Sequence, residues 1–251
     1  MKKYILVLSL SLYSLSAAAL EPWSEGTAFT LSQGSSEIGL FSPYRHGLSH
    51  DLEISTYPYA NLVYPNVSLK KQWTSLGAWR FSTQHAFSYP SLFLDTVSSS
   101  GIGGLLPANT QVPQLFSVNN HFYFSRRLAN GAILTPRISV ELTAGAQPNT
   151  MPTIDFPLLY QRTASYHSGF TLNTGVDIDG LIGSNWGYSA DLDYYYLPNM
   201  NGDSALEHKA MLFYEWNKDR RLLFGYKYVS GSYPFGYDSR TFPMIDLLWS
   251  W

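Results

Sequence analysis

Phe170-Thr171-Leu172-Asn173-Thr174-Gly175-Val176-Asp177-Ile178-Asp179 alternates at every step. Phe170, Leu172, Thr174, Val176 and Ile178 fall on one side, and Thr171, Asn173, Gly175, Asp177 and Asp179 on the other. A β-strand sends successive side chains to opposite faces, so this decapeptide reads as a strand with one apolar and one polar face. Helical spacing, with apolar residues three and four apart, fits none of it.

The same period continues on both sides. Downstream, Trp186, Tyr188, Ala190, Leu192 and Tyr194 oppose Ser189, Asp191, Asp193 and Tyr195. Then Leu206, His208, Ala210, Leu212, Tyr214 and Trp216 oppose Glu207, Lys209, Met211, Phe213 and Glu215, and Leu222, Phe224, Tyr226 and Tyr228 follow against Leu223, Gly225 and Lys227. Upstream, Leu134, Pro136, Ile138, Val140 and Leu142 oppose Thr135, Arg137, Ser139, Glu141 and Thr143. Most segments run for about ten residues or more, against an ordinary strand of roughly 5–6, and ten is what a tilted strand needs to cross a bilayer. Trp186, Tyr194, Tyr214 and Trp216 gather towards strand ends on the apolar face, where interfacial girdles sit. A secreted β-sandwich also alternates, but shorter strands and fewer outward aromatics would be expected of it.

Composition agrees with a membrane barrel. Charged residues are 14 %, aromatics 16 %, with 19 Tyr and 14 Phe, and the formal charge of −2 suggests no nucleic-acid partner. Met1-Lys2-Lys3, an apolar run from Tyr4 to Leu15 and Ser16-Ala17-Ala18-Ala19 make the three parts of a secretory signal. Residues 1–19 are expected to be a signal peptide cut after Ala19, with residues 20–251 as one outer-membrane β-barrel domain. The chain has no cysteine, which excludes a lipoprotein anchor, disulfides and thiol chemistry.

At the end of the chain, Pro243, Ile245, Leu247, Trp249 and Trp251 share one face. A terminal aromatic after alternating apolar residues resembles the C-terminal signature of bacterial outer-membrane proteins. Over those last ten residues the resemblance implies recognition by the outer-membrane assembly machinery through the strand ending at Trp251, and surroundings of outer-membrane lipid. Residues 37–53 also resemble a hairpin of uncharacterised barrels, which names no substrate.

Barrels of this class alternate short turns with long loops. Short turns are expected at 217–220, 180–185, 128–131, 73–75 and 44–49, and longer connections at 231–241, 197–204, 145–167, 88–112 and 57–65. A first hairpin of 27–31 with 36–41 would turn at Gln33-Gly34. The predicted fold is an all-β, antiparallel transmembrane barrel of about 12 strands, or ten without that hairpin. Either long loop, 88–112 or 145–167, could fold inward.

With the apolar face towards lipid, the other face lines the lumen. The residues expected there are Lys70, Arg80, His121, Arg137, Glu141, Asp177, Asp191, Asp193, Glu207, Lys209, Glu215 and Lys227. So many charges must be paired or wet. Asp193, Lys209 and Lys227 are expected at similar height, with Glu215 and Arg221 paired near one mouth. Tyr123, Tyr195 and Phe213 also point inward by parity, and could stack on sugar or nucleoside rings.

Function divides three ways: a passive channel for small polar solutes, a closed structural or surface-interaction barrel, or a lipid hydrolase. Outer-membrane phospholipases and lipid A deacylases are similar in architecture only, since their His-x-Ser spacing is absent here. A cross-strand set of His121, Ser139 and Asn119 is the one catalytic candidate. Asp177-Ile178-Asp179-Gly180 lacks the later ligands of a calcium loop. The sequence therefore predicts no cofactor and no metal site, and the channel reading comes first.

Overall fold

The computed structural model describes residues 25–99, 105–108, 110–146 and 151–251; the expected signal peptide lies outside them. Twelve strands form the wall: β1 Ser36–Gly39, β2 Tyr44–Ser49, β3 Leu52–Thr56, β4 Asn66–Gln72, β5 Arg80–Ser88, β6 Phe116–Arg127, β7 Ile133–Ala144, β8 Phe170–Leu181, β9 Trp186–Tyr196, β10 Ser204–Asn217, β11 Arg220–Tyr233 and β12 Gly236–Ser250. Each pairs antiparallel with its neighbours in sequence, and β1 pairs with β12 to close the barrel. Closure leaves no free sheet edge where strands pair fully, which is what a wall in lipid requires.

Alternation dictates this wall. Ile138, Leu192, Leu212 and Ile245 point outward and remain exposed, while Arg137, Asp191, Asp193 and Glu207 on the same strands point inward and are covered. Aromatic contacts bind neighbouring strands on the outer face: Trp186 lies 4.9 Å from Tyr214 and 6.2 Å from Phe224, centroid to centroid. Such cross-strand pairs add a few tenths to about 1 kcal/mol each.

One end of the barrel carries brief turns at 50–51, 128–132, 182–185 and 218–219, together with Trp251. At this turn end the seam is tied twice: Ser36 N–H donates to the Trp251 carbonyl (2.8 Å), and Trp251 N–H donates back (3.0 Å). The opposite, loop end carries 57–65, 89–115, 145–169 and 197–203. Among the described residues it holds three short helices: α1 Ser91–Val97, α2 Pro157–Thr163 and α3 Ser165–Ser168.

The count of twelve stands, but its first members differ from expectation. Residues 27–31 are not a strand, and Tyr44–Ser49, expected as a turn, is strand β2. The physical reason is Arg45. As a strand residue it faces inward between Glu37 and Glu53, with Nη1 3.2 Å from Glu37 and Nη2 2.8 Å from Glu53. That pairing makes a buried guanidinium tolerable. A second difference is the β11–β12 hairpin. It extends until only Pro234-Phe235 lie between the strands, where a long loop over 231–241 was expected. The polar, glycine-containing stretch there pairs from Gly231↔Asp238 to Tyr233↔Gly236.

The barrel lumen as candidate functional site

The lumen has a roof, a floor and a charged wall. The roof forms at the loop end, where apolar residues of two loops bury each other: Leu94, Val97 and Leu115 from one, Met151, Ile154 and Tyr166 from the other. Proline at the start of α2 suits a helix N-terminus, whose first amides have no intrahelical acceptor. The helix turns inward. Its Tyr160 packs edge-on against Tyr233 at 5.4 Å and accepts a hydrogen bond from Gly202 N–H at 3.1 Å.

From α2, Arg162 reaches Glu207 on β10, with Nη2 2.6 Å from Oε2, and Gln161 donates to the same carboxylate. Lys227 of β11 completes its surroundings at 2.9 Å. Glu207 is fully buried, so without these cations its charge would be prohibitive. This is the latch of the roof. On α3, Gly169 at φ 77° supplies the left-handed cap, and burial pulls the His167 pKa below its ordinary value.

The floor is the segment 25–35 at the turn end. Instead of joining the wall it lies inside, with Thr27 and Ala28 fully buried. Ala28 N–H donates to Ser125 Oγ (2.7 Å), Leu31 N–H to Glu53 Oε2 (2.9 Å) and Gly34 N–H to the Gly47 carbonyl (2.8 Å). Gly47 permits this approach, because a Cβ there would stand 2.2 Å from the Ser32 carbonyl oxygen.

Between roof and floor lies a cavity of about 650 Å³, within the usual range of ligand pockets. Lys70, His121, Arg137, Glu141, Asp177, Asp191, Lys209 and Lys227 line it. Arg137 bridges Asp177 (2.7 Å) and Asp193 (2.5 Å), so Asp193 lies behind the guanidinium. Lys209 meets Asp191 at 3.0 Å. In register it stands opposite Asp191 on one side and Lys227 on the other, while Asp193 stands opposite Glu207. Glu141 accepts from Ser117 Oγ at 2.6 Å. Glu215 pairs with Arg221 near the turn end. Arg80 is exposed at the turn-end rim, donating to Ser75 Oγ.

All three aromatics expected to offer a stacking face carry a cation, Phe213 with Arg221 4.1 Å from its ring centre. Lys70 Nζ sits 5.4 Å from the Tyr123 ring centre, His121 stacks on the same tyrosine at 5.7 Å, and Arg162 lies 5.9 Å from Tyr195. The catalytic candidate is not assembled. His121 and Ser139 are direct cross-strand partners, but the Ser139 hydroxyl donates to Asn173 Oδ1 at 3.4 Å, and His121 Nδ1 has no partner among the described residues.

Sequence reasoning missed Arg45, Arg162, Gln161 and the floor segment. For Arg162 a signal existed: it is the one arginine of a long loop carrying Pro148, Pro152 and Pro157. For the floor there was none, since its contacts are made largely by backbone amides, which composition does not reveal.

No family model matches the sequence, and no curated protein matches it either. Among solved structures, the crystal structure of an outer membrane channel from Pseudomonas putida F1 aligns over 90 % of this chain and 98 % of its own, with TM-score 0.52 and 9 % identity. A bacterial polysaccharide outer membrane secretin aligns over 86 % of this chain and 69 % of its own, with TM-score 0.45 and 7 % identity. The resemblance to the channel is one of fold, and the fold of this chain is a closed, twelve-stranded antiparallel barrel.

Proposed function

We propose that the chain is an outer-membrane channel for small polar solutes, closed at both ends in the conformation described. The observation that carries this reading is the polar cavity of about 650 Å³ between the loop-end helices and the 25–35 segment. A barrel needing only a filled interior would be packed with apolar side chains or continuous salt bridges. Here the turn end faces the periplasm, in keeping with short turns on that side, and the roof faces outward. Export by the N-terminal signal, lipid around the exposed Ile138–Ile245 face and assembly through the strand ending at Trp251 belong to the same reading. Its mechanism is diffusion through a hydrated lumen of mixed charge, gated by the Arg162–Glu207 latch and the 25–35 segment.

The ion pairs across the wall favour the competing reading, a closed structural barrel. Single-channel recording in planar bilayers separates the two. Wild-type protein should show rare discrete steps, and a latch-breaking Arg162→Ala protein should show frequent ones. Folded, heat-modifiable protein of both kinds without any conductance would overturn the channel reading. N-terminal sequencing of exported protein, expected to begin at Leu20, checks the signal.

A further inference from the structure

Two carboxylates on the cavity lining meet a cation directly: Asp177 has Arg137 at 2.7 Å, and Asp191 has Lys209 at 3.0 Å. Glu141 does not. It is part-buried on the same lining, and among the described residues it forms no ion pair. Its partners are hydroxyls. Ser117 Oγ donates to Oε1 at 2.6 Å, and Ser165 of α3, which accepts from Thr143 at 2.9 Å, hydrogen-bonds the same carboxylate. The wall around it is neutral as well. Glu141 stands in register between Asn119 and Thr171, and the row continues past Asn119 to Ala86 and Ser68. Across these five strands the inward charge at that height is one carboxylate. Drawing a carboxylate out of bulk water without a cation is expensive, and one that faces a cavity can take its cation from the solute.

We infer that Glu141 anchors a small organic solute bearing one primary ammonium group, held in the cavity beneath the roof. The inference rests on the channel reading for the solute's passage, but not for its binding. An ammonium concentrates three N–H donors on one positive charge, so the Glu141 carboxylate and cavity water can satisfy it together. A divalent ion does not fit. Calcium takes about six to eight oxygens, several of them from carboxylates, and among the described residues no three acidic or histidine side chains come together. A bare alkali ion would keep its hydration in a cavity of about 650 Å³ and gain little from one carboxylate. An anion would meet Glu141 with like charge, and would find Arg137 and Lys209 already engaged. The volume suits the carbon skeleton of an amine as well as its charged end.

Isothermal titration of the detergent-folded, full-length protein in amine-free phosphate buffer tests this. The probes are propylammonium, its neutral analogue 1-propanol, and potassium chloride. Propylammonium should bind saturably and 1-propanol should not. Glu141→Gln, checked for heat-modifiable migration, should weaken binding roughly 10- to 100-fold, the size of one charge-assisted hydrogen bond. Should that variant fail to fold, Asn119→Lys places a resident ammonium opposite Glu141 and should abolish binding. Absence of saturable binding, equal binding of 1-propanol, a preference for potassium, or binding indifferent to the folded variant overturns the inference. So does an infrared carboxylic-acid band that is lost in Glu141→Gln and persists in wild-type protein at saturating propylammonium, since Glu141 would then hold a proton instead. Conductance is recorded on the same preparation. Conductance without amine binding removes this inference and leaves the channel, while amine binding without conductance does the reverse.

Discussion

Arg137 and Asp193 are joined by a 2.5 Å ion pair although they stand on strands that are not neighbours. Strand β8 runs between them, and the residue it presents at that height is Gly175, register partner of both. A Cβ on Gly175 would stand 2.1 Å from Asp193 Oδ1. The missing side chain is what lets the guanidinium pass.

Removing the cation should therefore cost far more than removing the whole group. Arg137→Met leaves Asp177 and Asp193 unpaired in the lumen, and a loss of about 3–5 kcal/mol is expected. Adding Asp177→Asn and Asp193→Asn should recover most of it. Urea unfolding followed by heat-modifiable gel migration reads both. Equal stability in the single and triple variants would show that the pair is solvated.

Gly175→Val should act on the same pair from the other side. It pushes Asp193 away while leaving both charges in place, so destabilisation should exceed the small penalty of an ordinary strand substitution. Suppression by Asp193→Asn is the diagnostic outcome, measured as a coupling between the two changes.

Glu207→Gln or Arg162→Ala weakens the roof. Loss of a charge-assisted bond worth about 1.5–3 kcal/mol should raise the open-to-closed ratio roughly 10- to 100-fold. Single-channel open time measures it, and proteolysis at 151–156 should quicken in parallel.

Gly47→Val should displace the floor without harming the wall, since valine suits a strand but its Cβ would collide with the Ser32 carbonyl. Expected results are faster cleavage within 25–35 by added protease and more frequent openings. Unchanged cleavage would place the floor's anchor elsewhere.

Acid should loosen the roof through His167. Its folded pKa is depressed by burial, so the unfolded or opened state takes up protons first. The roof is at full stability above the ordinary histidine pKa of about 6.5 and loses it as pH falls from there towards the folded value. Asp155, the charge opposing this shift, reduces the effect. Proteolysis of 145–169 should accelerate between neutral and mildly acidic pH, and His167→Phe should abolish that dependence.

The wall was legible because a two-residue period runs through the long strands, as at 170–179, and parity alone sorts their inward residues from their outward ones. Arg45 misled because a charged residue in a short polar stretch reads as a turn until its partners Glu37 and Glu53 are seen across the sheet. Inward charges could be named by parity, but their pairing depends on register. A shift of two residues moved Lys209 from Asp193 to Asp191 as its opposite number. That a long loop could fold inward was legible, but the contacts that hold roof and floor were not. Helix α2 is too short to show periodicity, and the 25–35 segment is held mainly through its amides, which every sequence possesses.

That segment runs directly into β1, the strand that zips against β12. The stopper is thus chained to the frame through Gly34, which stands at φ 81° and donates its N–H to the Gly47 carbonyl. A tethered group rebinds its own seat at an effective concentration set by the tether, in the millimolar range for a short flexible linker. Reclosure is then a unimolecular event, independent of how much protein is present. On the channel reading, the share of time the turn end stands open then stays the same at any protein concentration.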